Sequence, residues 1–276
     1  MKNYTITNKN KMRLDLRLVQ DGIFDSREKA KIAIMEGLVF VDNQKEDKPG
    51  CFVKNDAIVE FRGIKQKYVS RGGYKLEKAI DFFNLDISNK ICLDIGSSTG
   101  GFTDCMLQNG ARLVYAIDCG TNQLDYKLRF DDRVISIENY NARYLTKSDI
   151  DNQDIDFASI DVSFISLTKI IPPLIDCLND NSIVVALIKP QFEAGKNNVS
   201  DGIIKNKNVH IDVINSIINF CLDLNLNILG LTYSPIKGPK GNIEFLICFK
   251  KNIFNDNNIN LNDSVIQVVN EAHNSL

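Results

Sequence analysis

CLDIGSSTGGF, residues Cys92 to Phe102, is the stretch that decides the fold. Its apolar opening reads as a strand, its glycines as a turn, and the residues after them as a helix. Glycine lacks a Cβ, so the backbone there can approach a ligand closely, and a helix N-terminus just beyond offers unpaired N–H groups. The spacing is Asp-x-Gly-x-x-x-Gly-Gly. It is neither the Gly-x-Gly-x-x-Gly of a dinucleotide turn nor a phosphate loop ending in Gly-Lys-Ser/Thr. A turn of this kind also serves simply to seat a helix on a sheet. Asp118 tips the balance toward a ligand, because it closes the next apolar run 24 residues after Asp94. A carboxylate at the end of that strand is placed to accept hydrogen bonds from a ribose diol. In this order, the features favour a nucleoside-type cofactor.

Working outward, strand-like and helix-like segments alternate, as they do in an α/β domain. The candidate strands are residues 91–93, 113–117, 134–137, 155–160, 183–188, 228–232 and 243–249. Seven strands with helices between most of them suit a doubly wound sheet. Only the Gly/Pro-rich turn SPIKGPKGN separates the last two, which predicts an antiparallel pair. Ahead of the glycine turn, Leu76, Ala79, Ile80 and Phe83 form the stripe of an amphipathic helix, entered through the basic connector RGIKQKYVSRGGY, whose Gly72-Gly73 pair suggests flexibility. The tail after Phe254 is Asn-rich and becomes helical in pattern from Asp263.

Residues 13–62 read as a helix, a second helix and short strands. Ser26 caps a helix that carries Ala30, Ala33 and Ile34 on one face and stops at Gly37. Arg27 and Lys31, four apart, project from one side of it. The preceding segment fits two patterns, a strand through Met12, Leu14, Leu16 and Leu18 or a helix ending at Asp21-Gly22. Leu38–Val41 and Ala57–Phe61 read as strands joined by a polar loop.

Four charged residues have positions suited to chemistry. Asp161 and Lys189 each follow a predicted strand, and in an open α/β sheet ligands bind outside the carboxyl ends of the parallel strands. Glu244 opens the final strand. If that strand is antiparallel, its start lies on the same rim. Lys75 sits early in the amphipathic helix. A buried lysine pushed toward neutrality is suited to act as a base, with carboxylates to orient it and a second lysine. Taken singly, any of these is an ordinary strand-end or helix charge.

Composition narrows the class. Residues 1–80 carry 17 Lys+Arg against 11 Asp+Glu, and the remainder carries 16 against 24, so a basic front precedes an acidic body and suggests an anionic partner. The seven cysteines include no Cys-x-x-Cys pair, so neither a zinc site nor a disulfide framework is expected. The longest clean apolar run is strand-sized and the N-terminus is polar, which predicts a cytoplasmic protein without a membrane span.

The segments RLDLRL, DGIFDSREKAKIAIMEGLVFVD and VKNDAIVEF resemble the alpha-L RNA-binding module first known from a small-subunit ribosomal protein. The resemblance implies backbone contacts to RNA from Arg13, Arg17, Arg27 and Lys31, with Arg71 beyond them. The glycine turn resembles the S-adenosylmethionine loop of Rossmann-like methyltransferases. It implies a cofactor site made by Asp94, Gly96, Ser97, Ser98, Gly100, Gly101, Phe102, Asp118 and Asn141. With SRGGYKLEKA, DVSFISL, LIKPQFE and KGNIEFL in that order, the chain resembles the TlyA family, whose catalytic domain is like the FtsJ group of ribose methyltransferases. The family implies a catalytic tetrad at Lys75, Asp161, Lys189 and Glu244. It also implies S-adenosylmethionine as cofactor, no metal, and ribosomal RNA methylated on a cytidine ribose as substrate. The resulting expectation is a Rossmann-like seven-stranded α/β methyltransferase domain behind a small α+β RNA-binding domain. Its limits are residues 1–64 for the RNA module, 65–71 for a linker, 72–254 for catalysis and 255–276 for a tail. Asp161-Val162-Ser163-Phe164 lacks the prolines of the motif that holds a planar amine, which favours O-methylation over base methylation. The rivals are a haemolysin, a name some family members carry, a non-catalytic assembly factor and a pseudouridine synthase.

Overall fold

The computed structural model describes residues 10–63, 66–195, 202–251 and 261–276. The chain divides into two compact units, Met1–Lys65 and Gln66–Leu276.

The first unit opens with strand β1 (Lys11–Arg13) and runs directly into helix α1 (Leu14–Gln20), so both patterns in that segment are used in succession. Helix α2 (Arg27–Met35) starts at Ser26, whose hydroxyl accepts a hydrogen bond from Lys29 N as an N-cap does. Four short strands come next: β2 (Val39–Val41), β3 (Gln44–Glu46), β4 (Phe52–Lys54) and β5 (Val59–Phe61). β2 pairs antiparallel with β3 and β5, while β4 pairs antiparallel with β1. The loop expected between the two sequence-predicted strands therefore holds two more. Their three residues each are too few to show an alternating pattern. Leu14, Leu18, Ala30, Ala33, Ile34 and Val39 form the core of this unit.

The second unit begins with helix α3 (Gly73–Phe83), followed by β6 (Ile91–Ile95), α4 (Gly101–Gln108), β7 (Leu113–Ile117), the short α5 (Tyr126–Arg129) and β8 (Val134–Ile137). Then come β9 (Ile155–Ile160), α6 (Ile171–Ile175), β10 (Leu178–Ile188), α7 (Pro190–Glu193), α8 (Lys207–Asp223), β11 (Leu226–Tyr233), β12 (Phe245–Lys251) and α9 (Leu261–Ser275). The strands form one sheet in the order β11-β12-β10-β9-β6-β7-β8, parallel from β10 through β8, with β12 antiparallel to both of its neighbours.

Alternate residues of each strand enter opposite cores, as a period of two requires. Leu93, Ile95, Tyr115 and Ile117 enter the core that also holds residues of α6, α8 and α9, while Cys92, Val114 and Ala116 enter the core that holds residues of α3 and α4. The connector is part of this unit and is packed against it. Tyr68 is buried and donates its hydroxyl proton to Glu77, Val69 N donates to Asp104, and Gln108 donates to Lys67 O. Gly73 also makes a close approach possible: a Cβ there would lie 2.3 Å from the Tyr68 ring.

Candidate active site

Both the glycine turn and the charged residues lie at the carboxyl ends of the parallel strands. After β6 the chain turns through Gly96 (φ 85°) and Gly100 (φ 93°), left-handed conformations that glycine adopts without strain. A Cβ on Gly96 would stand 2.5 Å from the Asp161 carbonyl oxygen. The glycine thus lets the cofactor loop abut the first residue after β9, and Asp161 N donates to Ile95 O at 2.9 Å across the same junction. Gly101 serves a different purpose. Its Cβ would meet Ser70 and the backbone of Gly72 and Gly73, so it is the close approach of α3 to α4 that requires glycine here.

Asp118 stands at the end of β7, its two oxygens accepting from Ser98 N at 2.8 Å and Gly120 N at 2.7 Å. These bonds fasten the tip of the glycine turn to the neighbouring strand. Each oxygen keeps a second acceptor site, so the half-buried carboxylate, with Ser98 and Thr99 exposed beside it, fits a nucleoside diol.

Two residues of the expected cofactor set have buried side chains. Asp94 is fully buried and accepts from the hydroxyls of Thr103 at 2.6 Å and Ser159 at 2.9 Å. It ties β6 to β9 and to the first turn of α4 beneath the loop. Burial pushes its carboxyl up to about 6, against the pull of those two donors. Phe102 is likewise buried and packs in the core with Cys105 and Met106. Asn141 is exposed and its side chain caps a short helical turn by accepting from Arg143 N. Ser97 is buried within the turn.

The tetrad is assembled. Lys75 Nζ donates to Glu244 Oε2 at 2.6 Å and lies 3.9 Å from Asp161 Oδ2, while Lys189 Nζ lies 2.5 Å from Asp161 Oδ1. The order Glu244, Lys75, Asp161, Lys189 alternates negative and positive charge. Burial is deep: Lys75 is 6% exposed, Lys189 7% and Glu244 0%. The register explains the convergence. Ile188 on β10 pairs with Phe245 on β12, so the residue after one strand and the residue before the other share a rim, as antiparallel pairing requires.

Within this chain of charges the hydrogen bonding is incomplete. Lys189 directs its hydrogen bond to Ser163 Oγ at 3.0 Å, and among the described residues neither Asp161 Oδ1 nor Glu244 Oε1 receives one. The Lys189–Asp161 approach is an ion contact off the line of a hydrogen bond.

Sequence reasoning missed two residues here. Ser163 orients Lys189, and Gly238 carries no side chain where a Cβ would stand 2.1 Å from Glu244 Oε1. Both lie inside quoted motifs, but their roles depend on distances between segments far apart in sequence.

In the first unit, Arg13 and Arg27 pair with Asp15, Arg17 with Asp21, and Lys31 with Glu28. Arg71, in the second unit, is exposed.

The chain matches the FtsJ-like methyltransferase family over residues 68–251. It is 47% identical to YqxC of Bacillus subtilis, which carries an rRNA-methyltransferase name, over 96% of this chain and 95% of that one. It is 36% identical to the 16S/23S rRNA (cytidine-2'-O)-methyltransferase TlyA of Mycobacterium tuberculosis, over 85% of this chain and 88% of that one. A solved structure from Streptococcus thermophilus, labelled a hemolysin, superposes with a TM-score of 0.76 at 47% identity, covering 96% of this chain and 97% of that one. The family match spans the unit that holds the seven-stranded sheet, the glycine turn and the charged rim, and the chain belongs to the FtsJ-like methyltransferase family.

Proposed function

We propose that the protein transfers the methyl group of S-adenosylmethionine to the ribose 2′-hydroxyl of a cytidine in ribosomal RNA. The observation that carries this reading is the buried alternation of Glu244, Lys75, Asp161 and Lys189 beside the glycine turn. The names of the TlyA relatives supply the nucleotide class and the RNA.

S-adenosylmethionine supplies an electrophilic methyl on a positively charged sulfur. Residues 96–101 would hold it by backbone approach, and Asp118 would take its ribose hydroxyls. The remaining work belongs to the rim. A ribose hydroxyl is a poor nucleophile until its proton has somewhere to go. We assign the handling of that proton to Lys189, with Ser163 and Asp161 fixing the direction of Nζ. Lys75, held between Glu244 and Asp161, positions the hydroxyl and keeps a compensated positive charge beside it. Arg13, Arg17, Arg27, Lys31 and Arg71 hold the RNA backbone, contacts that position a substrate without reading its sequence. No metal enters this scheme, and a ribosomal substrate suits a protein of the cytoplasm.

The test is transfer of labelled methyl from S-adenosylmethionine to purified ribosomal subunits lacking the modification, with the product mapped. Wild-type protein should label a ribose 2′-oxygen. Lys189→Ala should lower kcat by about 10²- to 10⁴-fold, as losing a proton-transfer group does. Cofactor binding without transfer to 30S, 50S or naked RNA would replace this reading with a non-catalytic assembly role.

A further inference from the structure

Among the described residues of the first unit, Asp15 is the most deeply buried charged one, with 0% of its surface exposed. It lies in the first turn of α1, between the helix and the incoming strand. Both of its oxygens are fully engaged. Oδ1 accepts from Arg13 Nε and Leu16 N, each at 3.0 Å, while Oδ2 accepts from Arg13 Nη2 at 3.0 Å and Arg27 Nη2 at 2.9 Å. Four donors fill the roughly four lone-pair directions a carboxylate offers. The Arg13 fork, ahead of Arg27, holds the carboxyl down to about 2, so it stays ionised across any working pH.

A buried acid with no acceptor capacity to spare cannot meet a ligand itself. It acts on the two arginines. Their side chains remain 38% and 46% exposed, and each keeps N–H donors beyond those given to Asp15, since a guanidinium carries five. Two guanidinium groups this close repel each other unless a negative charge lies between them. With Asp15 in place they stand side by side, planes fixed, with a net charge of +1. Arg13 is the last residue of β1 and Arg27 the first of α2, so one carboxylate coordinates two elements that α1 separates along the chain.

We propose that Asp15 is a positioning residue for substrate RNA: it holds the Arg13 and Arg27 guanidiniums as a pre-formed clamp for one backbone phosphate. This rests on the reading above that those arginines face RNA. Pre-organisation lowers the ordering cost of two long side chains, which otherwise offsets much of a phosphate contact.

Charge alone makes the opposite prediction, and this gives the test. Asp15→Asn raises the net charge of the unit by one, which by simple attraction tightens RNA binding. If Asp15 positions the clamp, Asp15→Asn instead raises KM for unmodified ribosomal subunits about tenfold, with kcat within twofold of wild type. The steepness of the salt dependence of subunit binding falls by about one phosphate contact. Arg13→Ala/Arg27→Ala should raise KM at least as much. Adding Asp15→Asn to that pair should then change KM no further. An unchanged or lower KM for Asp15→Asn alone overturns the proposal. So does a further rise on the double-alanine background, which would show Asp15 acting through the general fold of the unit. An unchanged KM for the double-alanine variant overturns instead the reading that these arginines touch RNA. Thermal unfolding of each variant in parallel identifies any loss of folding, which the background comparison then registers as additive.

Discussion

Gly238 acts on the site through the atom it lacks. Its backbone (φ −68°, ψ −179°) is open to any residue, so alanine brings no backbone strain, only a Cβ 2.1 Å from Glu244 Oε1. Gly238→Ala should therefore displace the carboxylate that holds Lys75, lowering kcat about 10- to 100-fold and the melting temperature by no more than loss of the Glu244 side chain does. On a Glu244→Ala background the same change should have no kinetic effect. Glu244→Ala itself strands a buried ammonium 2.6 Å from its lost partner. Breaking a buried pair typically costs about 3–5 kcal/mol, and Asp161 at 3.9 Å keeps this case near the low end. Thermal denaturation would measure it. Lys75, Asp161, Lys189 and Glu244 were legible because each stands at an element boundary inside a distinctive local text. Gly238 and Ser163 were not, since their meaning is a distance to a residue elsewhere in the chain. Asp94 shows the reverse case. Its position beside the glycines suggested a ligand contact, whereas Thr103 and Ser159 draw its side chain inward.

At the scale of elements, the seven strands of the large sheet were readable because they are long and apolar, and their antiparallel end came from a short Gly/Pro turn. The two extra three-residue strands of the first unit were not, because tertiary pairing alone makes them strands. The packing of α9 also lay outside the pattern. It rests on α8 through the chain's two histidines: His210 Nδ1 and His273 Nε2 are 3.0 Å apart, and the His210 ring packs edge-on against Phe245. Burial, reinforced by His273, pushes His210 down to about 4. Lys207 faces His273 and opposes its charging too. In the unfolded chain His210 takes its proton near 6.5, so the unfolded state binds more protons between pH 6.5 and 4, and stability falls as pH falls through that window. At pH 5 the loss should be about 2 kcal/mol relative to pH 7. His210→Gln should flatten that part of the pH profile of the melting temperature, and a profile unchanged by the substitution would remove the histidines from the account.

At the scale of the whole molecule, the separation of charge has a kinetic consequence. Residues 1–80 carry a surplus of basic groups and the remainder a surplus of acidic ones. Raising salt from about 50 to 200 mM should raise KM for ribosomal subunits steeply while leaving cofactor affinity nearly level, since phosphate contacts release counterions and hydrogen bonds to an uncharged diol do not. Equal salt sensitivity of both would argue against a dedicated RNA-facing unit. The strand order carries a different consequence, one of timing. β12 is made last but lies inside the sheet, between β10 and β11, and β11 touches the sheet only through it. During synthesis β11 must therefore wait unpaired until Phe245–Lys251 has emerged, and Glu244 arrives with that same strand. A polypeptide stopped between Lys189 and Glu244 has three members of its tetrad and an open sheet edge. The charged rim of this protein is thus completed only after every other strand of its sheet has been made.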